Sequence, residues 1–421
     1  METPFYEGSV QRLFEVPGEP DFMVTQTTER GSVFDVGALF EIPGHDVNRA
    51  VFRHVLYSRM GDPAMWQGVK SSIENDDYLE KNYQRDLLSG PLEEFARNGA
   101  KTHHIGMLDA VTGEMMPDGV PDNPSAFNVV RKFHILKPDR VDVFGASLFD
   151  YSKYPQSDGY VVPLEYIVRF GITSASSVYR KYLKMDEAAR KSFEQDLGVS
   201  KPLEAWQYLE RPVSDFTTKF EPTDRMLSRQ EAFITSSLDG ELFAAGTKMA
   251  VLGAWAVRYL LEGLGLAMWD IKWEFAKDGD ELVYVDTIDT DSFRATLELD
   301  FEGGKYLNHY NKQAMRDYFR ILHPDWIEGI NDAKARGDAE GVAFTELLSA
   351  GQKAGQYAET PQVEAAFIEI QQNKMIAICD YLLGKTDSSV AADLLKSAGL
   401  AELEFYKNKG KLEELASING I

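Results

Sequence analysis

The segment DIKWEFAKDGDELVYVDTIDTDSFR, residues 270–294, combines two strand-like apolar runs with an unusual density of carboxylates. In the first run Asp270, Lys272 and Glu274 alternate with apolar side chains, so these three residues share one face of a strand. A Lys-Asp-Gly-Asp turn reverses the chain, and the second run ends at Asp286. If the hairpin has an even register, Glu274 and Asp286 point to the same side.

Two carboxylates that are so close repel each other unless a cation or a proton lies between them. Magnesium takes oxygen ligands and commonly needs only one or two protein carboxylates, because phosphates and water complete its coordination. The segment therefore predicts a magnesium–nucleotide site. The alternative is a solvated hairpin tip with ordinary surface acids, since the chain contains 67 aspartate and glutamate residues.

Length, charge and cysteine content limit the class of protein. With 421 residues the chain is long enough for two or three domains. Its net charge of −23 repels phosphate backbones and argues against nucleic acid as a bulk partner. We expect a cytoplasmic protein without a membrane span, because the N-terminus lacks a signal pattern, charges interrupt the longest apolar stretch, and Cys379 is the single cysteine.

The order of strand and helix patterns predicts an α+β fold. Short β-rich runs separated by turns fill the first sixty residues, and residues 160–172 form a strong strand pattern. Helical periodicity then dominates, with an apolar core helix over residues 242–264 and a helical C-terminal part. The histidines form no metal-binding pattern, and the adjacent His103 and His104 are expected at the surface.

Six segments, in order along the chain, resemble motifs of the phosphoribosylaminoimidazole-succinocarboxamide (SAICAR) synthetase family of purine biosynthesis. They are YEGSVQRLFEV (6–16), TERGSVFDV (28–36) with IPGHD after it, VPLEYIVRFGITSASS (162–177), TTKFEPTDR (217–225), DIKWEF through SFR (270–294) and YNKQAMRDYF (310–319). No single motif is decisive, but six in the same order are specific. They span roughly residues 5–320.

The resemblance implies a SAICAR synthetase-like two-lobe fold with ATP in the cleft. Residues 1–158 would form an antiparallel N-terminal lobe with an insertion at about 60–158. Residues 159–325 would form a larger α/β lobe that binds ATP and substrate. Residues 326–421 would be a helical C-terminal extension that packs on the second lobe or forms a homo-oligomer contact.

The chemistry implied by the resemblance is the joining of carboxyaminoimidazole ribonucleotide to L-aspartate with ATP and Mg²⁺. Transfer of the γ-phosphoryl group to the substrate carboxylate would make an acyl phosphate, and the aspartate amine would then displace phosphate. Such a reaction needs a divalent ion to bridge phosphates, cations to absorb charge, and strict positioning.

The resemblance also implies residue roles. The magnesium ligands would be Glu274 and Asp286. The residues implied to bind the nucleotide are Gly8, Ser9, Gln11, Arg12 and Lys272. Those implied to act in catalysis are Arg169, Lys219, Asp291 and Arg294, and those implied to bind substrate are Arg30, Ser32, Asp35, Ser176 and Ser177. The arginines suit a phosphate or a carboxylate because guanidinium groups bind both in a bidentate manner.

Several positions depart from the family pattern. Ser9 and Gln11 occupy positions where the family has basic residues, Thr287 replaces a glutamate after Asp286, and Ala175 replaces a glycine before the serine pair. Two alternatives therefore remain. The protein could be a diverged ligase that uses another carboxylate or amine, or a non-catalytic nucleotide-binding paralogue.

Overall fold

A computed structural model describes residues 3–420, which form two main antiparallel sheets and the helices around them. Numbered along the chain, the strands are β1 (Tyr6–Glu7), β2 (Gln11–Glu15), β3 (Phe22–Thr27), β4 (Arg30–Gly31), β5 (Phe40–Glu41), β6 (His104–Leu108), β7 (Met115–Met116), β8 (Phe127–Arg131), β9 (Asp139–Val143), β10 (Ala146–Asp150), β11 (Tyr160–Val161), β12 (Leu164–Ile172), β13 (Gln207–Thr218), β14 (Met226–Leu227), β15 (Ala267–Asp278), β16 (Glu281–Val285), β17 (Phe293–Phe301) and β18 (Gly304–His309).

The helices lie between and after these strands. They are α1 (His45–Gly61), α2 (Pro63–Glu74), α3 (Lys81–Leu87), α4 (Pro91–Asn98), α5 (Ser177–Leu183), α6 (Glu187–Leu197), α7 (Arg229–Ser236), α8 (Gly240–Leu260), α9 (Gln313–Leu322), α10 (Pro324–Glu340), α11 (Phe344–Lys353), α12 (Ala365–Leu382), α13 (Ser388–Asn408) and α14 (Leu412–Asn419). No helix within residues 3–420 is long and apolar enough to cross a membrane.

The first sheet has six strands in the order β1-β2-β3-β8-β6-β7, and the second has eight, with β14-β13-β12-β15-β17-β18 as its main path. In the second sheet β11 and β16 also pair with β15. The predicted α+β class is confirmed. β6, β7 and β8 lie within residues 60–158 and complete the first sheet, whereas α2 and α4 of the same stretch pack against α8. That this stretch is an insertion remains a prediction.

Helix α8 covers one face of the second sheet and forms the centre of its core. The sequence predicts this helix over 242–264, and the structure places it at Gly240–Leu260. The side chains of Trp273 and Tyr284 lie against Gly253, where an added Cβ would come within 2.8 Å of the Trp273 ring. The absence of a side chain at Gly253 therefore lets the helix approach the hairpin closely.

The C-terminal helices pack on the second sheet through a buried polar network. The Lys374 Nζ atom on α12 lies 2.6 Å from a carboxylate oxygen of Glu402 on α13, and both side chains are almost fully buried. Lys374 also donates to the backbone oxygen of His309 at the end of β18, and Asn308 donates to Glu402. The C-terminal helices therefore pack on the second sheet, and the homo-oligomer contact stays a prediction.

We predict that Lys374→Met destabilises the protein by about 3–5 kcal/mol, because it leaves the Glu402 carboxylate buried without a counter-charge. The double variant Lys374→Met/Glu402→Leu should lose less, since it removes both charges. Urea unfolding followed by circular dichroism measures the free energies. Lys409→Met is the matched control, because Lys409 pairs with Glu364 at the surface, where a pair contributes about 0–1 kcal/mol. Equal losses for Lys374→Met and Lys409→Met would contradict the prediction.

Candidate functional site

Glu274 and Asp286 come together for a reason that strand alternation does not predict. In the hairpin Glu274 is opposite Val285, so the register is odd and the expected even register is wrong. By regular alternation Asp286 would point to the α8 side of the sheet. Its backbone is instead left-handed, with φ of 71°. This single residue turns the carboxylate toward Glu274, and Lys272 Nζ lies 2.6 Å from Glu274 and 3.4 Å from Asp286.

Two side chains from other parts of the chain hold this backbone conformation. The Tyr57 hydroxyl on α1 lies 3.0 Å from each of the backbone oxygens of Val285 and Asp286. The Nε2 atom of His103 lies 3.1 Å from the Asp286 oxygen. His103 is buried, and burial lowers the pKa of His103 to about 4, so the ring stays neutral. The expectation that His103 lies at the surface is therefore wrong.

The two carboxylates are neutralised by two lysines. Lys219 Nζ lies 2.5 Å from Glu274, and Lys272 also contacts Glu165 at 2.8 Å. Burial, followed by the neighbouring Asp286, raises the pKa of Glu274 to about 7. Burial acts in the same sense on Asp286, but the charges of Lys272 and Lys219 outweigh it and hold the pKa of Asp286 well below its usual value. Glu274 is 1% exposed, so this carboxylate is buried and does not belong to a solvated hairpin tip.

The donor set at this pair fits a divalent cation that takes part of its coordination from elsewhere. Across residues 3–420, no group of three or more histidine, cysteine, aspartate or glutamate side chains is arranged to hold a metal ion. Glu274 and Asp286 supply carboxylate oxygens only, and magnesium commonly binds through one or two carboxylates plus phosphates and water. The pair could therefore hold the ion of a metal–nucleotide complex.

The loop after Asp286 is held by two arginines that the sequence analysis missed. Asp289 is 1% exposed, and its carboxylate lies 3.0 Å from Arg49 and 3.5 Å from Arg53, both on α1. Arg49 also lies 3.7 Å from Asp291. The available signal is the spacing of the two arginines by four residues, which puts both on one face of the helix. Asp289 is thus an anchor for the loop.

A cavity of about 200 Å³ next to the carboxylate pair gathers several of the predicted residues. Among the predicted residues, its lining contains Arg169, Ser177, Lys272, Asp291 and Arg294. The structure therefore brings together side chains that are more than one hundred residues apart in the sequence.

Two further cations, Lys312 and Arg316, line this cavity. Both belong to the segment YNKQAMRDYF (310–319), but the sequence analysis predicted no role for either. Within the described residues neither has a carboxylate within 4.0 Å. Burial, followed by repulsion from Arg294, lowers the pKa of Arg316. Burial also lowers the pKa of Lys312, although Asp291 opposes the shift. Clustered cations without partners favour the binding of an anion.

Arg169 differs from Arg294 in how completely its hydrogen-bonding capacity is used. Arg169 is 3% exposed and binds both carboxylate oxygens of Asp215, at 2.8 and 2.9 Å. Its Nη1 atom lies 3.0 Å from Asp270 and 3.3 Å from the Ser176 hydroxyl. Arg294 shares Asp270, at 2.9 Å, and its side chain is 21% exposed. Arg294 can therefore receive a ligand, and direct substrate contact by Arg169 remains a prediction.

The predicted nucleotide-binding residues of the N-terminus lie in and around the turn between β1 and β2. The Gly8 nitrogen donates to the Gln11 oxygen and closes the turn around Ser9. Arg12 and Arg30 both pair with Glu7, at 3.2 and 2.7 Å. These pairings show how the β1–β2 turn is held but not what it binds, so the nucleotide-binding roles remain predictions.

Ser32 and Asp35 lie in the loop that follows β4. Ser32 lines a small cavity together with His45 and Asp291, so it does reach the neighbourhood of the site. Asp35 points outward, with 82% of its side chain exposed, and pairs with Lys334 at 2.8 Å. The substrate-binding role of Asp35 is therefore the least supported of the predicted roles.

Comparison with known proteins identifies relatives of the chain. A sequence model of the family SAICAR synthetase matches residues 154–333. A protein of Archaeoglobus fulgidus is 29% identical over 259 residues, which cover 61% of this chain and 71% of that protein. The phosphoribosylaminoimidazole-succinocarboxamide synthase of Thermoplasma acidophilum is 28% identical over 244 residues, 58% of this chain and 70% of that enzyme.

The fold has a counterpart among solved structures. A SAICAR synthase aligns with a TM-score of 0.50 at 16% sequence identity. The alignment covers 90% of this chain and 94% of the solved one. It therefore includes most of the C-terminal helices, for which no family motif was found in the sequence.

We predict that the raised pKa of Glu274 makes stability depend on pH. Because the pKa is about 7 in the folded protein and 4.5 is its ordinary value, the contribution of this group is complete below pH 4.5 and is lost as the pH rises to 7. Glutamine has no ionisable carboxyl group, so the Glu274→Gln variant does not lose this stability as the pH rises. The unfolding free energy of the variant should gain on that of the wild type by about 2 kcal/mol between pH 5 and 8.

Urea unfolding of both proteins at pH 5, 6, 7 and 8 measures this difference. Other groups that titrate near neutrality, such as Asp317, are common to both proteins and cancel. Glu281→Gln at the exposed hairpin turn is the control and should run parallel to the wild type. Parallel curves for Glu274→Gln as well would show that Glu274 ionises normally.

Proposed function

We propose that this chain, which belongs to the SAICAR synthetase family, joins carboxyaminoimidazole ribonucleotide to L-aspartate with hydrolysis of ATP to ADP. The observation that carries the proposal is the pair of Glu274 and Asp286 beside a cavity lined by five cations, of which Lys312 and Arg316 have no carboxylate within 4.0 Å among the described residues. Such an arrangement suits a nucleotide phosphate chain on one side and an anionic substrate on the other. The proposal includes a cytoplasmic location, as expected from the sequence.

In this mechanism the nucleotide phosphates lie against the hairpin. Glu274 and Asp286 would hold Mg²⁺, whose charge offsets that of the phosphates when bound. Lys219 and Lys272 neutralise the carboxylates in the structure. Because a lysine ammonium is a mobile point charge, both lysines could turn to the phosphates once the carboxylates have another counter-charge.

The ribonucleotide would occupy the adjoining cavity. Its phosphate and carboxylate are the anions that Arg294, Lys312 and Arg316 are suited to bind. Ser177 at the start of α5 adds a hydroxyl donor, and Asp291 is suited to accept from the amino group of the imidazole. These contacts would align the substrate carboxylate with the γ-phosphorus, so that catalysis rests on positioning and charge.

The reaction then follows in two steps. The substrate carboxylate displaces ADP from the γ-phosphoryl group and becomes an acyl phosphate. The amine of L-aspartate attacks the acyl carbon, loses a proton and expels phosphate, which leaves the amide. The cations in the cavity would stabilise the negative charge that develops on the acyl oxygen.

We predict that purified protein releases ADP only when ATP, Mg²⁺, carboxyaminoimidazole ribonucleotide and L-aspartate are all present. A coupled ADP assay with each component omitted in turn tests this. ADP release without L-aspartate, or only with another amine, would favour a diverged ligase. ATP binding without ADP release would favour a nucleotide-binding protein.

In the same assay Glu274→Gln and Asp286→Asn should each lower kcat by at least about a hundredfold, the scale seen when one preorganised electrostatic contact is removed. Asp280→Asn is the matched control, because Asp280 is an exposed acid at the turn of the same hairpin. A variant of either pair member that keeps the wild-type rate would remove it from the metal site.

We further predict that Arg294→Lys lowers kcat/KM for the ribonucleotide by about tenfold to a hundredfold, because an ammonium cannot replace a bidentate guanidinium fork. Arg140→Lys on the exposed β9 strand is the control. Steady-state kinetics with the ribonucleotide varied provide the measurement. Unchanged kinetics for Arg294→Lys would exclude Arg294 from the substrate site.

A further inference from the structure

A second, larger cavity lies on the α8 side of the second sheet. Its volume is about 690 Å³, and its lining comes from α3, α6, β13, α7 and α8. Apolar side chains form much of its wall; they include Leu87, Leu197, Val213, Phe243, Ala244 and Val251. A volume of this size matches a small-molecule pocket, for which a range of about 300–1,000 Å³ is typical.

Two guanidinium groups meet in the wall of this cavity. Arg211 donates from Nη2 to the Gly198 oxygen at 3.0 Å, and Arg229 donates from Nη2 to the Leu197 oxygen at 3.4 Å. A Cβ built on Gly198 would lie 3.5 Å from the first Nη2 and 3.8 Å from the second, so the two groups are close neighbours. Within the described residues neither guanidinium has a carboxylate within 4.0 Å.

The remaining charges of the lining do not cancel this pair. Lys248 is satisfied by Asp86, at 3.2 Å, and Glu241 is the other acid in the lining. Basic side chains therefore outnumber acidic ones around the cavity, in a chain whose net charge is −23. Two guanidinium groups without a carboxylate partner among the described residues favour an anionic ligand at this point of the wall.

A buried hydroxyl in the same wall also lacks a partner. Ser214 on β13 is 4% exposed, and its Oγ atom has no hydrogen-bond partner within residues 3–420. The Ser214 hydroxyl can therefore donate a hydrogen bond to a polar group of a ligand in the cavity. The next residue, Asp215, binds Arg169 at the candidate site, so the strand separates this cavity from that site.

We propose that the cavity binds a small amphipathic carboxylate, with its apolar body between α3, α8 and β13 and its carboxylate between Arg211 and Arg229. The apolar wall favours an apolar ligand body, because binding removes the apolar surface of both from water. The paired guanidiniums account for the head, since each can donate two parallel hydrogen bonds to a carboxylate. This site is separate from the proposed ligase chemistry and does not depend on it.

Decanoate is the probe, with decan-1-ol of the same length as the uncharged comparison, and isothermal titration calorimetry measures both affinities. We expect saturable one-to-one binding of decanoate and at least tenfold weaker binding of decan-1-ol. Arg211→Gln and Arg229→Gln should each weaken decanoate binding at least tenfold. Ala244→Phe, which fills the cavity from an exposed helix position, should abolish it.

Lys191→Gln is the control, because Lys191 is an exposed lysine on α6 that pairs only with Glu187 within the described residues. It should bind decanoate like the wild type. Circular dichroism tests whether each variant is folded. Because Arg229 is exposed, Arg229→Gln leaves the core intact. No saturable binding, or equal binding by wild type and folded Ala244→Phe, would overturn the proposal. Equal affinities for decanoate and decan-1-ol would overturn the role of the arginines.

Discussion

The placing of two carboxylates side by side in a buried hairpin is the constraint on which the candidate site depends. Glu274 and Asp286 repel each other, and burial strengthens the repulsion because little water screens it. Lys219 and Lys272 offset this cost, and Glu274 still binds a proton up to a pH near 7. The carboxylate pair therefore favours the binding of a further cation.

The geometry of that pair depends on parts of the chain that are distant in sequence. Asp286 reaches Glu274 only because its backbone is left-handed, and Tyr57 and His103 hold the backbone oxygen in place. Arg49 and Arg53 hold the following loop through Asp289. Helix α1 and the residue before β6 therefore organise a site whose carboxylates come from the β15–β16 hairpin of the second sheet.

The C-terminal helices support the same region from the opposite direction. Lys374 and Glu402 contact the end of β18: Lys374 donates to the His309 backbone oxygen, and Glu402 accepts from the Asn308 side chain. Lys312 and Arg316, which have no carboxylate within 4.0 Å in the described part of the chain, follow that strand by a few residues. Gln371 and Met375 on α12 line the same small cavity as Lys312, so this helix also borders the site.

Local patterns in the sequence were sufficient for the hairpin, the shared face of Lys272 and Glu274, the core helix and the α+β class, because alternation and helical periodicity depend on neighbouring residues alone. The order of six motifs was sufficient for the resemblance to the SAICAR synthetase family, whose sequence model matches residues 154–333. The sequence could not reveal the turn of Asp286, the burial of His103 or the pairing of Asp215 with Arg169. Nor could it reveal that the half-buried Lys312 and Arg316 have no carboxylate within 4.0 Å among the described residues. Each of these depends on which side chains meet across sheets and helices, and a backbone angle or an ion pair formed at such a meeting leaves no periodic trace along the chain.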